Sequence, residues 1–239
     1  MPGAVIYRGP SEIDGSPIAT IAIWDSRNSK TGDMLQTYIL REDMHPIEAN
    51  RTGADRAICG DCSLKGVPTD KDTGTAALRE CYVSLVNGPN TVWRTLKAGR
   101  YSDVTGDWQE RQRIGRNRYV RITYGDGAAV PLYVWADLLR EAFGHTAYSH
   151  TLRLAYPQIY MASVETLDQA RAAWQDGYRT FRVVKDSTDL QPNEILCPNE
   201  TRGVQCRDCM LCGGTSKDAK SIAITVHGSG KIHFLKRST

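Results

Sequence analysis

The chain has 239 residues, of which 41% are hydrophobic and 24% are charged, and its formal net charge is +3. A chain of this length and ordinary composition can bury one sizeable core, so the sequence predicts a single domain spanning residues 1–239. The charge is too small to indicate a non-specific nucleic-acid binder, and no apolar run approaches the roughly 20 residues of a membrane span.

Regular patterns are sparse in residues 1–118, which are expected to form an irregular N-terminal part. Strand-like segments occur at residues 19–23 and 35–40, and a helix is predicted near residues 91–98. The remainder of this part is predicted to consist of turns and irregular structure.

From residue 119 to residue 239 the sequence alternates between strand and helix patterns. Strands are predicted at residues 119–123, 146–150, 159–164, 180–184, 194–197 and 221–226. Helices are predicted at residues 131–143 and 166–175. Because such alternation is typical of parallel βα units, the predicted class is α/β. The specific expectation is a partial or distorted (β/α) barrel with a cysteine-rich metal-binding region, and an open doubly wound sheet is the alternative.

Seven cysteines carry the strongest functional signal in the chain. The N-terminus lacks the charged-then-apolar pattern of an export signal, so the expected location is a cytoplasm, where thiols stay reduced. An odd number of cysteines in that compartment disfavours a disulfide framework. The cysteines also fall into two groups with two-residue spacings, which is the pattern that convergence on a metal requires.

The C-terminal group has the spacing C-x8-C-x2-C-x2-C and consists of Cys197, Cys206, Cys209 and Cys212. A single zinc ion is usually held by two separate C-x2-C pairs, whereas consecutive x2 steps are typical of a [4Fe–4S] cluster. Pro198, directly after Cys197, also resembles the Cys-Pro step of bacterial ferredoxins. A [4Fe–4S] cluster is therefore predicted here, with zinc and unligated thiols as the alternatives.

The N-terminal group is less specific and consists of Cys59, Cys62 and Cys81. Three thiolates could hold a zinc ion or a second cluster, with His45, Asp61 or water as the fourth ligand. Two alternatives stay open. Both groups could contribute to one centre, or Cys81 could be a core residue and Cys59 and Cys62 an inert pair.

Other polar residues lie at the ends of predicted strands, where functional groups of parallel βα folds gather. Asp126 and His227 follow such strands, and His150 and Cys197 end two others. The sequence therefore predicts a pocket with Asp126, His150 and His227 at the same strand edge as the cluster, where they could tune it or handle protons. For Asp126 the alternative is a capping role, and for the histidines it is hydrogen-bonded scaffolding.

A basic stretch at residues 93–119 supports a rival hypothesis. It combines arginines with aromatic residues, which together can bind a nucleic-acid backbone through charge and stacking. These residues are Trp93, Arg94, Arg100, Tyr101, Trp108, Arg111, Arg113, Arg116, Arg118 and Tyr119. A solvated insertion is the alternative. The polar loop at residues 26–32 could clamp phosphate, although it lacks the glycine pattern of a P-loop.

Several segments, spread over nearly the whole chain, match the pattern of a known family. They are VIYRGPSEIDGSPI, NSKTGDMLQTYIL, TGADRAICGDC, RITYGDGAAVP, MASVE with GYRTFRV, CP with CRDCMLCGG, and SIAITVHG. On these segments the chain resembles the "gene product 88"-like group of cysteine-rich bacteriophage proteins. The resemblance implies a phage origin and a host cytoplasm as the location, and it implies no particular activity.

Taken together, these patterns predict a phage-encoded [4Fe–4S] protein with redox or cluster-dependent activity. A structural cluster that only connects irregular segments is an alternative. The rivals are a zinc-containing protein that modifies or binds nucleic acid, and a host inhibitor or adaptor whose metal builds a binding surface. The expected partners are accordingly a host protein or nucleic acid, and not a membrane.

Overall fold

The computed structural model describes residues 3–24, 28–216, 218–228 and 231–237. Within these ranges the strands are β1 (Gly3–Pro10), β2 (Pro17–Ile23), β3 (Leu35–Arg41), β4 (Ser102–Asp103), β5 (Tyr119–Tyr124), β6 (Gly144–Ser149), β7 (Met161–Val164), β8 (Thr180–Val184), β9 (Glu194–Leu196) and β10 (Ser221–Thr225). The helices are α1 (Pro46–Thr52), α2 (Arg56–Cys59), α3 (Gly88–Lys97), α4 (Trp108–Gly115), α5 (Leu132–Leu139), α6 (Leu167–Gln175), α7 (Pro198–Arg202), α8 (Cys206–Cys209) and α9 (Lys231–Arg237).

All ten described strands belong to one sheet, in the order β4-β1-β2-β3-β5-β6-β7-β8-β10-β9. Neighbouring strands pair in parallel except at β1–β2 and β2–β3, so β2 runs against the other described strands. The parallel pair β3–β5 joins the strands of the first half of the chain to those of the second. The predicted α/β class is confirmed, because the sheet is mostly parallel and helices connect many of its strands.

The two faces of the sheet have different surroundings. On one face, apolar residues of β5 and β6 share a core with the buried side of α5. That core includes Val120, Ile122, Val134, Trp135, Leu138 and Ala147. Strand β7 packs in the same way with Ala170 and Ala173 of α6. Because successive side chains of a strand alternate between faces, Arg121 of β5 and Thr146 of β6 point to the opposite face.

Most elements predicted for residues 119–239 occur close to their expected positions. Helix α6 begins at Leu167 because Thr166 and Gln169 form a reciprocal capping box. Helix α5 ends at Leu139, short of the predicted residue 143, because the chain turns there towards β6. The amide of Phe143 donates to the Arg118 carbonyl at 2.9 Å, which closes this turn.

Residues 1–118 contain more regular structure than their sequence patterns indicate, and the expectation of a largely irregular part is corrected here. Strand β1 is buried on both faces over much of its length, so it lacks the alternation that marks a strand. Helix α4 buries Arg111 and Gln112 rather than an apolar stripe, and Asp107 caps it. The longest described helix, α3, has 10 residues, and no described helix is suited to crossing a bilayer.

Candidate functional site

A cavity of about 490 Å³ lies on the sheet face opposite α5 and α6. Side chains from β3, β5, β6, β7, β8 and β10 line it. They include Gln36, Tyr38, Arg121, Thr146, Tyr148, Ser163, Phe181, Val183 and Ile224. All seven cysteines also line this cavity, although they come from distant parts of the chain. Each cysteine is partly buried and carries a free thiol.

The first cysteine group is assembled by local backbone hydrogen bonds. Helix α2 ends at Cys59, and the amide of Cys62 donates to the Cys59 carbonyl at 3.2 Å, which closes a turn between the two thiols. The amide of Cys81 donates to the Leu64 carbonyl at 2.8 Å. This bond brings the third cysteine alongside the other two, from further along the chain.

Gly60 allows the tight turn between Cys59 and Cys62. Its backbone has φ +53° and ψ −129°, a conformation that side chains disfavour. A Cβ added at this position would lie 2.0 Å from Thr151 Oγ1. The turn therefore packs directly against the segment that follows β6.

Replacing Gly60 with alanine should destabilise the fold by about 2–4 kcal/mol, because backbone strain adds to the collision with Thr151. Gly15 offers a matched control, since it has φ +78° and no atom within 4 Å of an added Cβ. Gly15→Ala should lower the free energy of unfolding by about 1 kcal/mol, because only the backbone strain acts there. Urea unfolding of both variants measures the difference, and equal losses would show that the contact with Thr151 has no effect.

Asp126 follows β5 and connects the first cysteine group to the ends of the strands. Its carboxylate accepts hydrogen bonds from the amides of Ala128, His150 and Thr151, at 3.0, 2.8 and 3.0 Å. Its own amide donates to the carbonyl of the residue before Cys59. This geometry corresponds to the capping alternative for Asp126, and it holds His150 beside the first group.

His150 lies between a thiol and a carboxylate. It lies close enough to Cys62 for their charges to interact, and its Nε2 is 3.0 Å from Glu165 Oε1. Glu165 also accepts a hydrogen bond from Ser63 Oγ at 3.0 Å. Burial alone would lower the pKa of His150, but Cys62 and Glu165 raise it well above its usual value.

The two side chains expected as fourth ligands of the first group, His45 and Asp61, are not among the described residues that line the cavity. His45 caps α1, where its Nδ1 accepts a hydrogen bond from the Ile47 amide and its Nε2 is 2.8 Å from Asn90 Oδ1. Asp61 is exposed. His150 does line the cavity with the first group, and no sequence spacing indicates it because it lies far along the chain.

The second cysteine group lies along the connection between β9 and β10. Cys197 directly follows β9. The amide of Cys206 donates to the Lys30 carbonyl at 3.0 Å, and the Cys212 carbonyl accepts a hydrogen bond from the amide of Ala147, within β6, at 3.0 Å. The group therefore extends across the face of the sheet.

The expectation that this group sits at the strands' C-terminal edge is wrong for the cysteines of the loop. Strands β9 and β10 are parallel, so the chain that leaves β9 must return to the opposite edge to begin β10. Residues 197–220 make this return. Arg179, just before β8, donates to the carbonyls of Leu211 and Gly214 at 2.8 Å each. Cysteines spread along such a crossover cannot all stay at one edge.

The polar loop at residues 26–32 contacts the second group through its backbone. The carbonyls of Lys30 and Thr31 accept hydrogen bonds from the first two amides of α8, at 3.0 and 3.2 Å. Ser26 and Arg27 lie outside the described residues. Phosphate binding by this loop stays a prediction.

Side chains of the sheet face contact the second group directly. Arg121 Nη1 is 3.7 Å from Cys206 Sγ, and the guanidinium lies over the Tyr148 ring at 5.5 Å from its centroid. Tyr148 lies close enough to the Cys212 thiol for each group to shift the pKa of the other. Neither Arg121 nor Tyr148 was indicated by motif, but the alternation of side chains along β5 and β6 would have placed both on this face.

Burial raises the pKa of thiols in both groups. The affected residues are Cys59, Cys81, Cys206 and Cys212, the last to about 12. A neighbouring thiol adds to the effect, Cys62 in the first group and Cys197 in the second. These four thiols are therefore protonated at neutral pH, which makes them poor nucleophiles, and a metal must displace their protons to bind.

Within the described parts of the chain, no three His, Cys, Asp or Glu side chains are already arranged to hold a metal ion. The two groups gather potential ligands around one cavity without directing them at one point. Ligation would therefore require some thiol side chains to change rotamer.

No protein-family model, curated protein or solved structure matches this chain. The resemblance to the "gene product 88"-like group, which rests on the sequence segments alone, stays a prediction. What the site can do is therefore argued from its geometry.

His227 follows β10 and also lines the cavity. Its Nδ1 is 2.9 Å from the Thr225 carbonyl, and its ring lies beside Tyr82 with centroids 5.4 Å apart. The cavity thus brings His227 together with Asp126, His150 and both cysteine groups.

Several residues of the basic stretch at 93–119 are engaged within the fold. Arg111 is buried and pairs with Asp137 at 2.7 Å. Arg113 and Arg116 form ion pairs with neighbouring glutamates, and Tyr101 belongs to the core. These contacts leave fewer groups available for a phosphate backbone, and nucleic-acid binding stays a prediction.

Proposed function

We propose that this chain is a phage-encoded protein that binds a [4Fe–4S] cluster through Cys197, Cys206, Cys209 and Cys212, with redox or cluster-dependent activity in the adjoining cavity. The observation that carries the proposal is that all seven cysteines line one cavity. Packing alone gives no reason for distant cysteines to meet, whereas ligation of metal by thiolates requires it.

The local backbone of the second group supports ligation by consecutive cysteines. Cys206 and Cys209 are the first and last residues of α8, so their side chains lie on the same face, one turn apart. Met210 then adopts φ +49°, which ends the helix and redirects the chain before Cys212. A short helix followed by a change in chain direction allows the sulfurs of three cysteines to approach one cluster from different directions.

The charges around the second group also favour a cluster. Thiolates and inorganic sulfide bring negative charge, and the Arg121 guanidinium beside Cys206 opposes it. The Tyr148 hydroxyl, which lies near Cys212, can donate to a ligating sulfur. Such hydrogen bonds and charges near the sulfurs tune the reduction potential of a cluster. The cavity of about 490 Å³ is large enough for a small substrate beside it.

The winding of the sheet supports a partial (β/α) barrel as the architecture. Strands β3, β5, β6, β7 and β8 succeed one another in chain order across the sheet, and β10 continues the series. A doubly wound sheet would reverse its strand order at a central switch point. Winding in one direction with right-handed crossovers places the helices on one face, which leaves the other face for the cavity.

Anaerobic isolation with analysis of iron, sulfide and zinc tests the proposal. The protein should be brown, absorb at about 400 nm and contain about four irons for the second group. A colourless protein that contains zinc and no iron would refute the cluster and favour the zinc alternative.

Triple serine replacement of Cys59, Cys62 and Cys81 tests how the cysteines are divided. The variant should keep the iron and its absorption, because these thiols lie in the other group. Loss of all iron in this variant would contradict two separate centres and indicate a single shared one.

A further inference from the structure

The first cysteine group has an imidazole beside it that is oriented as metal-binding histidines are. His150 lines the cavity with Cys62 and Cys81 and lies close enough to both for their charges to interact. Its Nε2 is 3.0 Å from Glu165 Oε1, so Nδ1 is the nitrogen left for a metal. Histidines that bind metals almost always pass their second N–H to a carboxylate or carbonyl in this way.

The carboxylate that orients His150 is itself held in place. The Glu165 side chain is 4% exposed and accepts a hydrogen bond from Ser63 Oγ at 3.0 Å. Ser63 is the residue after Cys62, so the same turn supplies a thiol and the support for Glu165. The amide of His150 is in turn fixed by Asp126 at 2.8 Å. The imidazole and the turn that carries Cys62 are thus held in place by hydrogen bonds that need no metal, and the thiols reach the ion by changing rotamer.

A thiol and an imidazole side by side suit a single small ion better than a cluster. Zn–S bonds of about 2.3 Å and Zn–N bonds of about 2.0 Å at a tetrahedral angle place two ligand atoms about 3.6 Å apart. Ligands bound to different irons of a cube lie farther apart.

Asp55 is a buried carboxyl group at this end of the cavity, where burial raises its pKa. It is 4% exposed, and its Oδ1 has no hydrogen-bond partner among the described residues, while Oδ2 accepts from Asn50 Nδ2 at 2.7 Å. Asp55 lines the cavity close enough to Cys59 for their charges to interact. A buried carboxylate oxygen without a partner is costly unless a proton or a cation compensates it.

Positive side chains near the thiols match the charge of the site that results. Three thiolates and one neutral imidazole around Zn²⁺ leave a net charge of about −1. Lys65 and Arg79 line the cavity and lie close enough to Cys59 and Cys81, respectively, to stabilise their thiolates. The surroundings therefore favour a slightly anionic centre.

We propose that Cys59, Cys62, Cys81 and His150 bind one Zn²⁺ in a tetrahedral site that is separate from the [4Fe–4S] centre. Binding displaces to solvent the thiol protons of the cysteines and the Nδ1 proton of His150, which then coordinates as a neutral imidazole whose ring Glu165 orients. The ion joins the segment from residue 59 to residue 81 to the strand that ends before His150. This inference goes beyond the proposed function and does not depend on which metal the second group holds.

Zinc content and cobalt substitution of the full chain test the site. The isolated protein should contain about one zinc ion per chain, and His150→Ala should lose it while keeping its iron and the absorption at about 400 nm. His150→Cys supplies a fourth thiolate, so this variant should bind zinc again. With Co²⁺ in place of zinc, it should absorb more strongly in the thiolate charge-transfer region than the Co²⁺ form of the unmodified chain. Glu165→Gln should weaken zinc binding about 10–100-fold.

His145→Gln is the matched control, because His145 lies on β6, the strand that ends just before His150, but its Nε2 is 3.0 Å from the Ile159 carbonyl; this variant should keep both metals. Unchanged zinc in His150→Ala would overturn the site, as would zinc that disappears only when Cys206 is replaced. A chain isolated without zinc, in which only Cys62 is alkylated and only while His150 is present, would also overturn the zinc site. That result would reveal a nucleophilic thiol instead. Because iron reports on the second group and zinc on the first, failure of this site and failure of the cluster are distinguishable.

Discussion

Serine in place of Cys206, Cys209 or Cys212 should remove the absorption at about 400 nm and most of the iron from protein isolated without oxygen. A serine hydroxyl is a much weaker ligand for iron than a thiolate, so each replacement leaves an iron without its protein donor. Thermal stability should fall as well, because the cluster would join the β9–β10 crossover to the sheet. Absorption spectra, iron analysis and thermal unfolding measure the three effects.

Asp208→Asn provides the control for these variants. Asp208 lies within the same short helix, α8, but its side chain is 59% exposed, so its replacement should leave colour and iron unchanged. Retention of both in all three serine variants would refute ligation by the second group. Equal losses in Asp208→Asn would show that disturbance of α8, and not loss of a ligand, is responsible.

Glu194→Ala should destabilise the chain by about 3–5 kcal/mol and also lower its iron content. Glu194 pairs with Arg182 through two contacts, at 2.8 and 2.6 Å, and the two side chains are 0% and 6% exposed. Removing the carboxylate leaves a buried guanidinium without its counterion. Glu194 begins β9, and β9 ends one residue before Cys197, so a loosened strand also displaces a proposed ligand.

Urea unfolding and iron analysis of two further variants complete the test. Arg182→Met combined with Glu194→Leu should recover most of the stability, because apolar side chains of similar volume leave no buried charge. Asp168→Ala removes an exposed pair with Arg171 and should leave the urea midpoint unchanged. If Glu194→Ala behaved like Asp168→Ala, an unpaired Arg182 guanidinium would carry no penalty at this site, and the prediction would be refuted.

Much of the second half of the fold could be predicted from sequence because its signals are local. The capping box of Thr166 and Gln169 marks the start of α6 within a few residues of chain. Strand β1 offered no such signal, since burial on both faces removes alternation. Helix α4 was missed because its buried side carries Arg111, which is stabilised by Asp137 in another helix.

The division of the cysteines into two groups follows from their spacing, but their places in the fold do not. Cys62 and His150 meet only because Asp126 fixes the segment after β6 beside α2. Cys212 reaches the middle of β6 only because parallel strands force the chain to cross the sheet. Both contacts depend on tertiary structure, so no window of sequence contains them.

Strand β10 lies between β8 and β9, although it is synthesised after both. As the chain leaves the ribosome, β9 therefore has no neighbour among the described strands until Ser221–Thr225 has emerged. The side of the cavity that carries Cys197 becomes fixed only when this last strand inserts. The earlier strands can fold first. The topology thus provides an interval in which the sheet is largely formed while one wall of the cavity is still open to delivery of a cofactor.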